Sequence, residues 1–151
     1  MSIFPTKILL ATDGSEEATL AAKTAVDLAD ITNSELHVSH VGQEYAYPIY
    51  AVPDYESARR IQQNLEQEVR KLLDAEVEQV KAAGGTVVGA HFGVGRPDTE
   101  IVKLAEGIGA RLIVMGSRGR GRIRRAVMGS VSDSVVHHAH CPVMVVREEK
   151  G

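Results

Sequence analysis

Short apolar runs and longer amphipathic stretches alternate along the whole chain. The amphipathic stretches repeat their apolar residues at the three- and four-residue spacing of helices. The order strand-helix, repeated to a fifth strand, predicts an α/β fold with a parallel sheet and helices on both faces. The short runs predict strands at Lys7–Thr12, Leu36–Val41, Thr86–Phe92, Leu112–Met115 and Val143–Val146.

The helix boundaries have clear sequence signals. Ser15 is the predicted N-cap of the first helix, and Pro97 suits the first turn of the third. The second helical pattern runs from about Asp54 to Ala83 and would exceed ~40 Å if unbroken, so we expect a break or a later start. The fourth helix is predicted at Val131–Ala139.

Composition narrows the class of protein. The chain has 151 residues, 44% of them hydrophobic and 25% charged, which suits one domain over residues 1–151. A net charge of −3 gives no support to nucleic-acid binding. Cys141 is the single cysteine, which excludes an internal disulfide and fits a reducing cytosol. No signal-peptide pattern or apolar run of ~20 residues is present, so we expect a cytoplasmic protein with no membrane partner.

The segment 112–131 contains the most distinctive chemistry. An apolar strand leads into a turn rich in glycine and arginine, and Gly129-Ser130 then begins a helix. Glycines let a backbone approach a ligand closely, and the N–H groups at a helix start attract anions. Five arginines lie between Arg118 and Arg125 with no acid among them. The segment therefore predicts a phosphate-binding turn, with a nucleotide as the leading ligand.

Two strand ends could form one crevice. Asp13 follows the first strand and Gly116 follows the fourth. In open parallel sheets, ligands bind beyond the carboxyl ends of strands, where the strand order reverses. Asp13 and Gly116 would share that crevice if their strands are neighbours. Two simpler roles stay open, because Asp13 can form a turn and Gly129-Ser130 can merely cap a helix.

The spacing Gly116-x2-Gly119-x9-Gly129-Ser130 resembles the ATP-binding branch of the universal stress protein family. The segments Ile8–Ser15, Ile113–Gly119 and Cys141–Val146 resemble the family's first strand, its fourth strand with the glycine turn, and its last strand. The resemblance covers essentially the whole chain. It implies an open five-stranded sheet ordered 3-2-1-4-5, a Rossmann-like adenine-nucleotide-binding fold, ATP as the cofactor and a homodimer. The edge strand Val143–Val146 would pair with its copy.

The resemblance also implies residue roles. Asp13 would bond the ribose or lie near the base. Apart from the resemblance, an enzyme at this site could hold Mg²⁺ through the phosphates near Asp13, with no protein cage for the metal. Val41 would meet the adenine edge through its backbone, and Met115 would pack on the base or the sugar. The nucleoside side would comprise Ala11, Thr12, Asp13, Val41 and Met115. The phosphate side would comprise Gly116, Gly119, Arg120, Gly129, Ser130, Val131 and Ser132. Arg118 is added on its own position, because it lies beside the glycines.

The expected function is that of a regulator whose nucleotide-bound state tunes a stress response or partner binding. Two alternatives stay open: a slow ATPase or nucleotidyl-transfer enzyme, and a sensor of another adenine nucleotide such as cyclic AMP. No independent general base is found near the glycine turn. The loop from Tyr45 to Tyr55 could be a nucleotide lid, a dimer contact or ordinary surface.

The remaining titratable residues predict structural roles. Surface or helix-end positions are expected for His137, His138 and His140, rather than a metal site. Satisfied polar positions within strands are expected for His37, His40 and His91. Cys141 is expected to be packed rather than reactive, and Arg111 stands before the fourth strand, where the family often has an acid.

Overall fold

The computed structural model describes residues 2–43, 54–117 and 129–148. Strands and helices alternate in the predicted order, and the first and last strands have the predicted bounds. The elements are β1 (Lys7–Thr12), α1 (Glu16–Thr32), β2 (Glu35–Gln43), α2 (Tyr55–Ala82), β3 (Val87–Gly95), α3 (Pro97–Ile108), β4 (Leu112–Gly116), α4 (Ser130–His138) and β5 (Val143–Val146).

All five strands form one parallel sheet in the order β3-β2-β1-β4-β5, which confirms the predicted topology. β1 lies at its centre, where Ala11 is opposite Ser39 of β2 and Met115 of β4. The strand order reverses at β1, because β2 and β3 extend to one side and β4 and β5 to the other. The carboxyl ends of β1 and β4 are therefore neighbours, as the crevice hypothesis requires.

Each face of the sheet has its own hydrophobic core. Ile8 and Leu10 of β1 pack with α1 and α2, whereas Leu9 and Ala11 pack with α3 and α4. This division follows from the alternation of side chains along a strand. β4 is buried on both faces from Leu112 to Met115, as its apolar sequence predicted.

α1 lies close to the sheet because its inner face is made of small residues. Ala18, Ala21 and Ala25 are all buried. Ser15 caps the helix as predicted, since its Oγ accepts from the Ala18 N–H at 3.2 Å. The first turn of α1 thereby reaches the carboxyl end of β4.

α2 is one continuous helix of 28 residues, so the expected break or late start was wrong. It contains no Gly or Pro that would interrupt it, and Asp54 caps its first turn through the Ser57 N–H. Only its second half is covered: Val69 is the first buried residue, and Ile61 is 36% exposed.

Three histidines lie in the β2–β3 region. The His40 ring hydrogen-bonds the Glu76 carboxylate, and both side chains are buried. His37 Nδ1 and His91 Nε2 lie 3.1 Å apart, and their rings stack at 5.3 Å. Among the described residues, His37 Nε2 has no hydrogen-bond partner, although a Glu35 carboxylate oxygen lies 3.5 Å away. The expectation of satisfied polar positions therefore holds for His40, whereas Nε2 of His37 is an exception.

We predict that stability falls in mild acid through His91. Burial, and then repulsion from His37, lower the pKa of His91. The native state therefore binds fewer protons than the unfolded chain, and stability present above the ordinary histidine pKa of about 6.5 is lost as the pH falls below it. Urea unfolding from pH 7.5 to 5 should show this loss, with a smaller slope for His91→Gln. A slope in His91→Gln equal to that of the unmodified chain would contradict the assignment.

A matched pair of glycines tests the end of α3. Gly109 has φ +74°, and Gly107 precedes it inside the helix; an added Cβ would have open space at both positions. Gly109→Ala should destabilise the protein by about 1 kcal/mol because only the backbone conformation opposes it. Gly107→Ala should stabilise by about 0.5 kcal/mol, because alanine favours a helix. Urea midpoints that shift in the same direction would refute the distinction.

Candidate functional site

The candidate site begins where β1 and β4 end. Asp13 follows β1 and Gly116 ends β4, at the same edge of the sheet. β1 leads to α1 on one face of the sheet, and α4 lies on the other face. A crevice at a strand-order reversal is the usual ligand position of such folds.

An apolar cluster on the α3–α4 face brings together four residues predicted for the nucleoside and helix-start contacts. Ala11 and Met115 are buried within it, and Val41 and Val131 pack against it. They come from β1, β4, β2 and α4, so only the tertiary fold unites them. Because Met115 is 5% exposed, its side chain belongs to the apolar base of the candidate site and does not project into it.

Asp13 has the turn role that the sequence left open. Its Oδ1 accepts from the Ser15 N–H at 2.9 Å, and the Gly14 N–H lies 3.4 Å from Thr12 Oγ1. These bonds order the tight connection between β1 and α1. The contact of Asp13 or Thr12 with a nucleoside stays a prediction.

The start of α4 has the features of an anion site. Gly129 is the N-cap in an extended conformation, and no side chain caps this helix within the described part of the chain. Ser130 is thus the first helical residue, not the cap. N–H groups in a first helical turn have no partner inside the helix, and the helix dipole adds positive potential.

Ser117 joins both ends of the segment that connects β4 to α4. Its carbonyl oxygen accepts from the Gly129 N–H and from Ser132 Oγ, each at 2.7 Å. Ser132 Oγ also lies 3.1 Å from the Gly129 carbonyl. The hydroxyl of Ser132, expected to face a ligand, is therefore directed inward. Ser117 was absent from the predicted site, although its place between Gly116 and the loop was a usable signal.

An open cavity of about 420 Å³ lies between the starts of α3 and α4. This volume is within the range of small-molecule sites. The sequence had assigned Pro97 only to a helix start, and no sequence signal indicated a cavity where β3 leads into α3. The lining residues are Gly95, Arg96, Pro97, Asp98, Ser130, Val131 and Ser134.

Asp98 gives this cavity a fixed carboxylate. Its Oδ2 accepts from Ser134 Oγ at 2.8 Å and from Arg96 Nη2 at 3.2 Å. The Ser134 hydrogen bond is the main cause that lowers the pKa of Asp98, and Arg96 adds to it. The carboxylate therefore stays ionised at neutral pH, with arginine beside it.

Three predicted phosphate contacts, Arg118, Gly119 and Arg120, lie outside the described residues, as does the Tyr45–Tyr55 loop except for its last two residues. Tyr55 itself is 79% exposed. Arg111 precedes β4 at the sheet edge opposite the site, where its N–H bonds the Lys7 carbonyl at 3.2 Å.

The remaining candidates have structural roles. The Nδ1–H groups of His137 and His138 donate to carbonyls one turn earlier in α4, each at 2.8 Å, as expected of helix-end residues. Burial raises the pKa of Cys141, in agreement with a packed thiol. Among the described residues, no three His, Cys, Asp or Glu side chains are grouped for metal binding. No helix there has the length and apolar character needed to span a membrane.

Comparison with known proteins identifies the family. The sequence profile of the universal stress protein family matches residues 5–147. A universal stress protein of Methanocaldococcus jannaschii is 34% identical over 144 residues, which is 95% of this chain and 83% of that protein. The structure of the universal stress protein UspA from Lactobacillus plantarum superposes with a TM-score of 0.80 at 27% identity, over 97% of this chain and all of the other.

Two more distant structures share the fold and contain nucleotides. A universal stress protein in complex with cAMP has a TM-score of 0.67 at 24% identity, over 95% of this chain and 98% of that one. A family protein from Arabidopsis thaliana with AMP bound has a TM-score of 0.64 at 21% identity, over 96% and 93%. Profile, sequence and fold agree, and the chain belongs to the universal stress protein family.

Proposed function

We propose that this chain is a single-domain, cytoplasmic, homodimeric regulator that binds ATP at the carboxyl edge of its sheet. The observation that carries the proposal is the start of α4, which begins at Gly129 without a side-chain cap beside the end of β4. A helix start of this kind accepts phosphate through backbone N–H groups. The α4 start would hold the phosphates, with Mg²⁺ bound through them near Asp13.

The surroundings of that helix start suit the rest of a nucleotide. Ala11, Val41, Met115 and Val131 form apolar surface for a base or sugar. The cavity beside them contains the ionised Asp98 carboxylate, which accepts hydrogen bonds as sugar hydroxyls donate them. An apolar floor with few placed polar groups is typical of nucleotide-sized sites.

The AMP-bound and cAMP-bound relatives support adenine nucleotides as the ligand class. The glycine spacing from Gly116 to Gly129-Ser130 favours ATP among them, because it is the mark of the ATP-binding branch that the sequence resembles. Titration calorimetry with ATP, AMP and cyclic AMP separates these ligands. Tighter binding of cyclic AMP than of ATP would favour the sensor alternative.

Ser130→Pro should weaken ATP binding about tenfold, because it removes the first N–H of α4 and the adjacent hydroxyl. Proline is tolerated at a first helical position, and the extended Gly129 before it has the backbone that proline requires. α3 already begins with Pro97. Calorimetry with ATP measures the change.

Ser130→Ala is the matched control, since it removes the hydroxyl and keeps the N–H. It should retain most of the ATP affinity. A folded Ser130→Pro protein that binds ATP as tightly as the unmodified chain would rule out phosphate at this helix start.

The dimer would form through β5, whose outer edge faces no other strand of the described residues. The Ile113 N–H of β4 donates to the Pro142 carbonyl, and the Ser117 N–H just beyond β4 donates to the Val146 carbonyl. Backbone groups alternate in direction along a strand. Val143 and Val145 therefore direct their N–H and C=O groups to the open edge. Two copies of β5 could pair there and satisfy both edges.

Val145→Pro should convert the dimer to a monomer, because it removes an outward N–H while the bonds to β4 remain. Val145→Ala keeps that N–H and should stay dimeric. Sedimentation analysis of both variants distinguishes them. A dimeric Val145→Pro protein would move the interface elsewhere.

ATP would regulate partner binding by stabilising one arrangement of the site and of the β5 edge where the dimer would form. A direct path exists, because the Ser117 N–H donates to the Val146 carbonyl at 2.9 Å. Ser117 begins the glycine-arginine segment and Val146 ends β5. A ligand that orders one end of this contact would bias the other, and partner binding with it.

A further inference from the structure

Glu17 is a buried carboxylate at the edge of the candidate site. It lies in the first turn of α1 and is only 2% exposed. A buried carboxylate is costly unless hydrogen bonds compensate it. Its Oε2 accepts from the hydroxyl of Ser117, which lies a hundred residues further along the chain.

The backbone at this point is held as closely as the side chains. A Cβ added to Gly116 would lie 3.1 Å from the carbonyl carbon of Glu17 and 3.2 Å from the Ala18 nitrogen. The end of β4 therefore passes directly against the first turn of α1. A side chain at residue 116 would push β4 away from α1 and so lengthen the hydrogen bond between Glu17 and Ser117.

Ser117 transmits this anchoring to the start of α4. The Ser117 hydroxyl donates to the Glu17 carboxylate, and the Ser117 N–H donates to the Val146 carbonyl. Its carbonyl then receives the Gly129 N–H and the Ser132 hydroxyl. The N-cap of α4 is thus placed by a residue that Glu17 holds from the opposite face of the sheet.

We infer that Glu17 is a positioning residue for phosphate binding, acting through Ser117 on the start of α4. The inference rests on the proposed function, and it deepens that function by adding an acid that does not itself contact the ligand. Loss of the Glu17 hydrogen bond frees Ser117 to shift and misplaces the Gly129–Ser130 backbone. The apolar nucleoside surface at Ala11 and Val41 stays in place, so phosphate binding is affected selectively.

The test compares ATP with adenosine by titration calorimetry. Glu17→Ala should weaken ATP binding about tenfold and leave adenosine binding within about twofold. Glu17→Gln keeps an oxygen that can accept from Ser117, so its ATP affinity should stay within about threefold of the unmodified chain. Ser117→Ala breaks the same bond from the other side and should reproduce Glu17→Ala; it serves in its place if Glu17→Ala does not fold.

Glu76→Ala is the matched control for loss of a buried, hydrogen-bonded acid. Glu76 lies on α2, away from the start of α4, and its carboxylate hydrogen-bonds His40 of β2. This variant should lose stability without changing the ratio of ATP to adenosine affinity. An equal fall of both affinities in Glu17→Ala, or no fall in a folded Glu17→Ala or Ser117→Ala, overturns the inference alone. An unmodified chain that binds neither ligand overturns the proposed function, and the role of Glu17 with it.

Discussion

The pairing of β1 with β4 is the constraint on which the site depends. β2 and β3, which follow β1 along the chain, lie on one side of β1, whereas β4 pairs with its other side. α1 and α4 cover opposite faces of the sheet. The carboxyl ends of β1 and β4 are thereby adjacent at the reversal of strand order, which is the usual ligand position of such folds.

Close approach is the second requirement, and small residues satisfy it. Ala18, Ala21 and Ala25 let α1 lie against the sheet, and Gly116 lets its first turn reach the end of β4. At this distance Glu17 meets Ser117 instead of water. Each buried polar group around Ser117 has a hydrogen-bond partner, as such a dry position requires.

The site combines donors and an acceptor around an apolar floor. The start of α4 supplies backbone N–H groups, whereas Asp98 supplies a carboxylate kept ionised by Ser134 and Arg96. A ligand with an anionic end and neutral hydroxyls fits both kinds of group. Nucleotides are one class of ligand with this pattern.

The sequence by itself determined the elements and the family. Periodicity located the strands, Ser15 and Pro97 fixed two helix starts, and the glycine spacing indicated the family. These signals are local, so one chain suffices to reveal them. The local signal failed at α2, where the length of the pattern led us to expect a break or a later start, whereas the helix runs unbroken from Tyr55 to Ala82.

Only the tertiary structure decided which distant residues meet. Glu17 follows Ser15 as an ordinary first-turn acid, and its position in line with Ala21 and Ala25 was the one hint that it is buried. Its bond to Ser117, the inward hydroxyl of Ser132 and the cavity at Asp98 all depend on helices packed from different parts of the chain. Periodicity shows which face of an element is apolar, whereas the partner opposite that face is set by the packing of the whole sheet.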